Sequence, residues 1–94
     1  MAYVHVRHRV KDFAAWKSVF DNAIKMRKTS GEKSYQVLQP ENDPNNLVLL
    51  FEWDSLANAR KFLTSTELKS AMKQAGVIEE PEVYFLKEAA RGKV

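Results

Sequence analysis

Two histidines, His5 and His8, lie three residues apart in the segment Tyr3-Val4-His5-Val6-Arg7-His8-Arg9-Val10. The segment alternates with period two, so residues 3–10 read as a strand. On a strand, positions three apart point to opposite faces. The two imidazoles therefore cannot share a metal ion, and no metal site is expected. Val4, Val6, His8 and Val10 take one face; Tyr3, His5, Arg7 and Arg9 take the other.

Glu52 offers His8 a partner. It is the last residue but one of the run Leu47-Val48-Leu49-Leu50-Phe51-Glu52-Trp53, the strongest strand in the chain. If the first and third strands run side by side and parallel, His8 and Glu52 meet near their C-terminal ends, at the ~4.8 Å spacing of neighbouring strands. A carboxylate that orients an imidazole makes a general base. His8 and Glu52 are thus the candidate catalytic pair. A purely structural hydrogen bond between them, or capping of Ser55 by Glu52, explains the same residues.

Arg27 sits in the middle of an apolar helical stripe. About fifteen residues of helix, roughly 22 Å, separate it from the helix start, which puts it at the opposite end from His8. It is a candidate anchor for a carboxylate ligand, against snorkelling to solvent beside a helix C-terminus. Trp16, Trp53, Phe62, Met72 and Tyr84 are aromatic or soft side chains that could line a pocket for a flat apolar molecule, and core packing accounts for each equally well.

The elements that must position these residues follow from periodicity and punctuation. Asp12 caps a helix running to about Thr29, with Phe13, Trp16, Phe20, Ala23, Ile24 and Arg27 on one stripe. Gly31 stops it. Residues 33–39 make a short polar strand closed by Pro40, which suits a sheet edge. The turn-rich Pro40-Glu41-Asn42-Asp43-Pro44-Asn45-Asn46 leads to the Leu47–Trp53 strand. Asp54 or Ser55 caps a second helix, which breaks and restarts at the capping box Thr64-Ser65-Thr66-Glu67 and stops at Gly76. Pro81 precedes a last strand, Glu82–Glu88, and residues 89–94 form a frayed tail.

The order β-α-β-β-α-β, with right-handed crossovers, gives an α+β ferredoxin-like sandwich. Its sheet is antiparallel and four-stranded, in the order 4-1-3-2, with both helical layers on one face. The other face is expected to carry Leu47, Leu49 and Phe51 beside His5 and Arg7. Leaving such apolar side chains in water forfeits about 1.5–3 kcal/mol each, so a homodimer packed sheet to sheet is expected.

At 94 residues the chain has room for one domain. It contains no cysteine, which removes disulfides, thiolate catalysis and zinc–thiolate sites. No apolar run reaches the ~18–20 residues needed to span a bilayer, and no signal core is evident, so a cytoplasmic location without membrane attachment is expected. The net charge of +3 is spread over the whole chain, which reads as a solvated surface. The third strand has neither glycine nor a basic lead, so nucleic-acid binding is not expected. Phosphate loops, dinucleotide fingerprints and nucleophile elbows are also missing from the sequence.

Phe51-Glu52-Trp53-Asp54-Ser55, followed by Ala59, Phe62, Ser65, Leu68 and Met72, together with Val10-Lys11-Asp12 and Trp16, resembles the dimeric α/β-barrel superfamily. The branch is that of the antibiotic-biosynthesis-monooxygenase-like domains, over residues 3–88. The resemblance implies face-to-face sheets in a dimer and a pocket between sheet and helices. In some members it implies oxidation of aromatics without metal or flavin. In the haem-degrading branch an Asn, a Trp and a His do the work; here those positions hold His8, Phe62 and Met72, so haem degradation is not expected. Many plain monooxygenase-like members carry a His where this chain has Phe62. The resemblance implies a small, mostly apolar or aromatic ligand, no cofactor, and cofactor-free oxygenation or isomerisation. A non-catalytic metabolite-binding or structural dimer stays open beside it.

Overall fold

A computed structural model of the protein describes residues 2–94. It contains β1 (Ala2–Arg9), α1 (Phe13–Asn22), α2 (Ile24–Ser30), β2 (Glu32–Leu38), β3 (Asn46–Trp53), α3 (Leu56–Leu63), α4 (Thr66–Gln74) and β4 (Glu82–Lys87). The caps are those the side chains dictate. Asp12 accepts from the Ala15 N–H at 3.0 Å, Ser55 from Asn58 at 3.1 Å and Ser65 from Leu68 at 3.2 Å. The restart at Ser65 divides the second helical region as expected.

The first helical region is also divided, at Ala23, which the apolar stripe did not foretell. The Ala23 N–H is shared between the carbonyls of Val19 and Phe20 at 3.2 and 3.3 Å. The Phe20 carbonyl also accepts from the Arg27 guanidinium at 3.1 Å. A side-chain donor thus partly replaces the regular helical ladder at the turn.

The sheet order is β2-β3-β1-β4, the ferredoxin-like order, with the helices on one face. Every neighbouring pair is antiparallel, β1 with β3 included. Each βαβ crossover makes its own two strands parallel, and the strand inserted between them runs the other way. Side-by-side parallel placement of β1 and β3 is therefore incorrect. His8 faces Leu47 in the ladder and Glu52 faces Tyr3. From Tyr3 to His8 is five residues, about 17 Å of strand.

The phase of β3 also differs from expectation. Leu47, Leu49, Phe51 and Trp53 turn inward, beneath the helices, where they join Val4, Val6 and Trp16 in the core. The outer face takes Val48, Leu50 and Glu52 from β3, with Tyr3, His5 and Arg7 from β1 and Glu82, Tyr84 and Leu86 from β4. Five consecutive apolar residues, Leu47 to Phe51, give period-two reasoning no phase. What decides it is Trp53, whose ring is 1% exposed against α3.

β2 departs from regular pairing. Glu32 is level with Trp53, yet Ser34 is level with Glu52, so one extra residue bulges at Lys33. The bulge turns Glu32 to the helix side, although strict alternation would group it with Ser34 and Gln36. Just before it, Gly31 has φ +122°, and a Cβ there would lie 2.5 Å from an Asp54 carboxylate oxygen. Any larger residue must adopt an unfavourable backbone and displace Asp54. Gly31→Ala is expected to lower stability by about 1–3 kcal/mol, read as a reduced urea midpoint at unchanged m-value.

Candidate functional site

The inward residues of the sheet do not meet the helices everywhere. Between them lies an apolar cavity of about 80 Å³. A single buried water needs only ~10–15 Å³ measured this way, so the space suits a larger guest. Its floor is Val6, His8, Leu49, Phe51 and Trp53; its roof includes Trp16 and Phe20 of α1, Arg27 of α2, Phe62 of α3 and Met72 of α4. α4 reaches the cavity through Leu68, Ala71 and Met72 without fully burying any of its side chains.

His8 is 3% exposed, and neither ring nitrogen has a hydrogen-bond partner among the described residues. Its ring meets Trp16 edge-on at 5.9 Å. Burial disfavours the charged imidazolium and lowers the His8 pKa from 6.5 to about 4, so the ring is neutral at pH 7. From His8 a row of aromatics crosses the cavity roof. Trp16 stacks on Phe20 at 4.7 Å, and Phe20 carries the Arg27 guanidinium 3.7 Å above its ring.

Arg27 forms the second polar end. Its side chain is 4% exposed and is paired to Glu32, itself 6% exposed. Burial pushes the Glu32 carboxyl upward, against the opposing charge and hydrogen bond of Arg27. Sequence reasoning missed Glu32, because only the bulge turns it inward. Arg27 neither snorkels nor stands free: the helix break and the bulge bring it a carbonyl and a carboxylate.

Of the residues singled out by sequence, Trp16, Arg27, Trp53, Phe62 and Met72 all line the cavity with His8. Three groups fall elsewhere. Glu52 is on the outer face, where it accepts from Ser34 at 3.2 Å, so the pairing of His8 with Glu52 does not exist. Tyr84 is also outside, 54% exposed and packed on His5 at 5.7 Å between centroids. Leu47, Leu49 and Phe51 belong to the interior and leave the outer face to Leu50, Tyr84 and Leu86. His5 and His8 do point to opposite faces.

Comparison with known proteins bears on what such a cavity is for. A family model described as antibiotic biosynthesis monooxygenase matches residues 1–74. The chain belongs to that family. Among curated proteins no sequence is significantly similar to it. Its fold is shared with a crystal structure of an antibiotic biosynthesis monooxygenase at 13% identity and a TM-score of 0.73, covering 96% of this chain and 100% of the other. SnoaB, a cofactor-independent oxygenase from Streptomyces nogalater, is similar at 16% identity and a TM-score of 0.71, with 94% of each chain covered. A conserved protein from Methanosarcina mazei aligns at 18% identity and 0.72, over 93% of this chain and 91% of the other. Among the described residues of this family member no helix is long and apolar enough to cross a membrane.

The buried imidazole gives a signed pH dependence. Unfolded His8 takes up a proton near pH 6.5, whereas the folded protein resists protonation down to about 4. The unfolded state binds more protons across that window, so stability falls as the solution is acidified through it. His8→Leu is expected to flatten this loss. Urea midpoints of both proteins at pH 7, 5.5 and 4.5 check it, since parallel curves would mean that His8 is not the group responsible.

Proposed function

We propose that this protein binds a small, planar, mostly apolar organic molecule in the cavity and oxygenates it, with His8 as the proton acceptor. The observation that carries this reading is a neutral imidazole without a partner, set in the wall of an aromatic cavity in a monooxygenase-family fold. A base with no hydrogen bond of its own is free to accept one from a substrate.

Burial makes His8 a weak base towards water, and that suits the task. An imidazolium at this position lacks a counter-charge, so the proton moves onto it only when an anion forms against the ring. The substrate class that fits is an aromatic with a methylene or hydroxyl acidified by conjugation. For a methylene, His8 takes the proton and the carbanion adds O2. The peroxide anion takes the proton back, and loss of water leaves a carbonyl. The sum is one CH2 and one O2 giving one C=O and one H2O. Family membership and the likeness to a cofactor-independent oxygenase support direct reaction with O2.

The reading includes a homodimer formed through the outer sheet face. Leu38, Leu50, Tyr84 and Leu86 are 36–54% exposed on that face. Covering large apolar side chains stabilises by about 1.5–3 kcal/mol each when burial is complete.

Two measurements test this. Binding of 2-naphthol and anthrone-dependent oxygen uptake are expected in the native protein, with both lost in a folded His8→Ala variant. Uptake and binding unaltered by that substitution would remove His8 from the reading. For the assembly, Leu50→Glu is expected to convert a sedimenting dimer into a monomer. Equal masses for the two proteins would exclude this face as the interface.

A further inference from the structure

A guest held between the sheet and the helices is roofed over, so part of the roof must move to admit it. The four helices differ in how firmly they are fastened. α1 buries Trp16 against His8. α2 is held by the buried pairing of Arg27 with Glu32 of β2. α3 buries Ala59 and Phe62, and Phe62 packs on Trp53. α4 has no such fastening. Leu68, Ala71 and Met72 lie half-buried over the cavity, and no side chain of the helix is fully buried. Among the described residues, every hydrogen bond formed by 66–74 stays within the segment 65–77.

The ends of α4, by contrast, are fixed. Ser65 caps the first turn through the Leu68 N–H, and its hydroxyl donates to the Phe62 carbonyl at 2.7 Å. At the other end Gly76, with φ +82°, takes the chain out of the helix. The Gly76 carbonyl accepts from the Lys11 N–H at 2.8 Å, and the Ile78 N–H donates to the Arg9 carbonyl at 3.0 Å. Nine residues are thus suspended between two anchors. A helix shorter than about 12–15 residues is marginal in water by itself and depends on packing for its stability. α4 has little packing to draw on, so its opening is the least costly local event in the roof.

We infer that α4 is the lid of the cavity, and that it opens by local loss of its helix while the sheet and α1–α3 stay folded. The inference rests on the cavity-binding reading and adds to it the control of entry and exit. Closed, the lid supplies Leu68, Ala71 and Met72 to the cavity wall and shields a guest from water. The guest passes only when the lid is open. A change in the stability of the α4 helix alone therefore shifts association and release by one common factor, and leaves the affinity where it was while the closed form predominates.

The test is an alanine–glycine pair at Ser70, an exposed position inside α4 that does not line the cavity. Rates for 2-naphthol are read by stopped-flow fluorescence in Ser70→Ala and Ser70→Gly, beside the same pair at Ser18, exposed on α1. Gly is less favourable than Ala inside a helix by enough to change the opening equilibrium about fivefold. Association and release are both expected to be about fivefold faster in Ser70→Gly than in Ser70→Ala, at equal Kd, with no difference between the two Ser18 variants. Should Ser70→Gly not fold, Ser70→Ala against the native protein gives the same reading as a slowing of both rates by about twofold. Equal rates across the Ser70 set would overturn the lid and leave cavity binding intact. A release rate that changes alone would also overturn it, since α4 would then be a contact for the ligand and not a lid. Equal changes in the Ser18 pair would overturn it as well, assigning entry to a loosening of the whole fold. Failure of 2-naphthol to bind would remove the cavity reading together with this inference.

Discussion

The third strand is apolar on both faces, and the helices can cover only one of them. The side they cover carries Leu47, Leu49, Phe51 and Trp53. Nearly everything else follows from that choice. It puts Trp53 beneath Phe62 at 5.3 Å and Phe51 beneath Phe20 at 6.3 Å, which frames the cavity. It sends Glu52 to the opposite face, away from His8. It also leaves Leu50 outside, where β4 adds Tyr84 and Leu86 to make an uncovered apolar surface.

The cavity has two unlike ends joined by aromatic rings. At one end a single imidazole is kept neutral by its surroundings. At the other a guanidinium and a carboxylate are kept together by theirs. Putting charge at the first end requires a companion anion, whereas the second end already contains both signs. Isolated ions in a low-dielectric interior cost far more than paired ones, so the two ends suit different jobs. Proton transfer fits the imidazole, and holding α2 to β2 fits the ion pair.

Much of the architecture was legible in the sequence because local signals sufficed. Asp12, Ser55 and Ser65 announced the helix starts, and Gly31 announced a stop. The alternating valines of β1 placed His8 inside, and helical spacing put Trp16, Phe62 and Met72 towards a common space. What was hidden depended on partners distant in sequence. The phase of β3 could not be read from a run apolar on both sides, and that error carried Leu47, Leu49, Phe51 and Glu52 to the wrong faces. The parallel placement of β1 and β3 overlooked that a strand inserted into a crossover must run against both of its neighbours. The break at Ala23 rests on Arg27 reaching back to a carbonyl seven residues earlier, a bond that apolar periodicity does not encode.

The extra residue at Lys33 has a further meaning for how this chain can vary in length. Upstream of it the edge strand is in one alternation, downstream in the other, and Glu32 belongs to the interior only because of the offset. Shortening β2 by that one residue would rotate the carboxylate out into solvent and strand Arg27 in the interior without a counter-ion. The far end of the same strand is less constrained, because the Pro40–Asn45 turn is half-exposed or exposed throughout and is tied to the first strand and helix at Asp43, paired with Arg9, and at Asn45, which accepts from the Val10 and Phe13 N–H groups. Two stretches a few residues apart on one strand therefore differ in the changes of length they can tolerate.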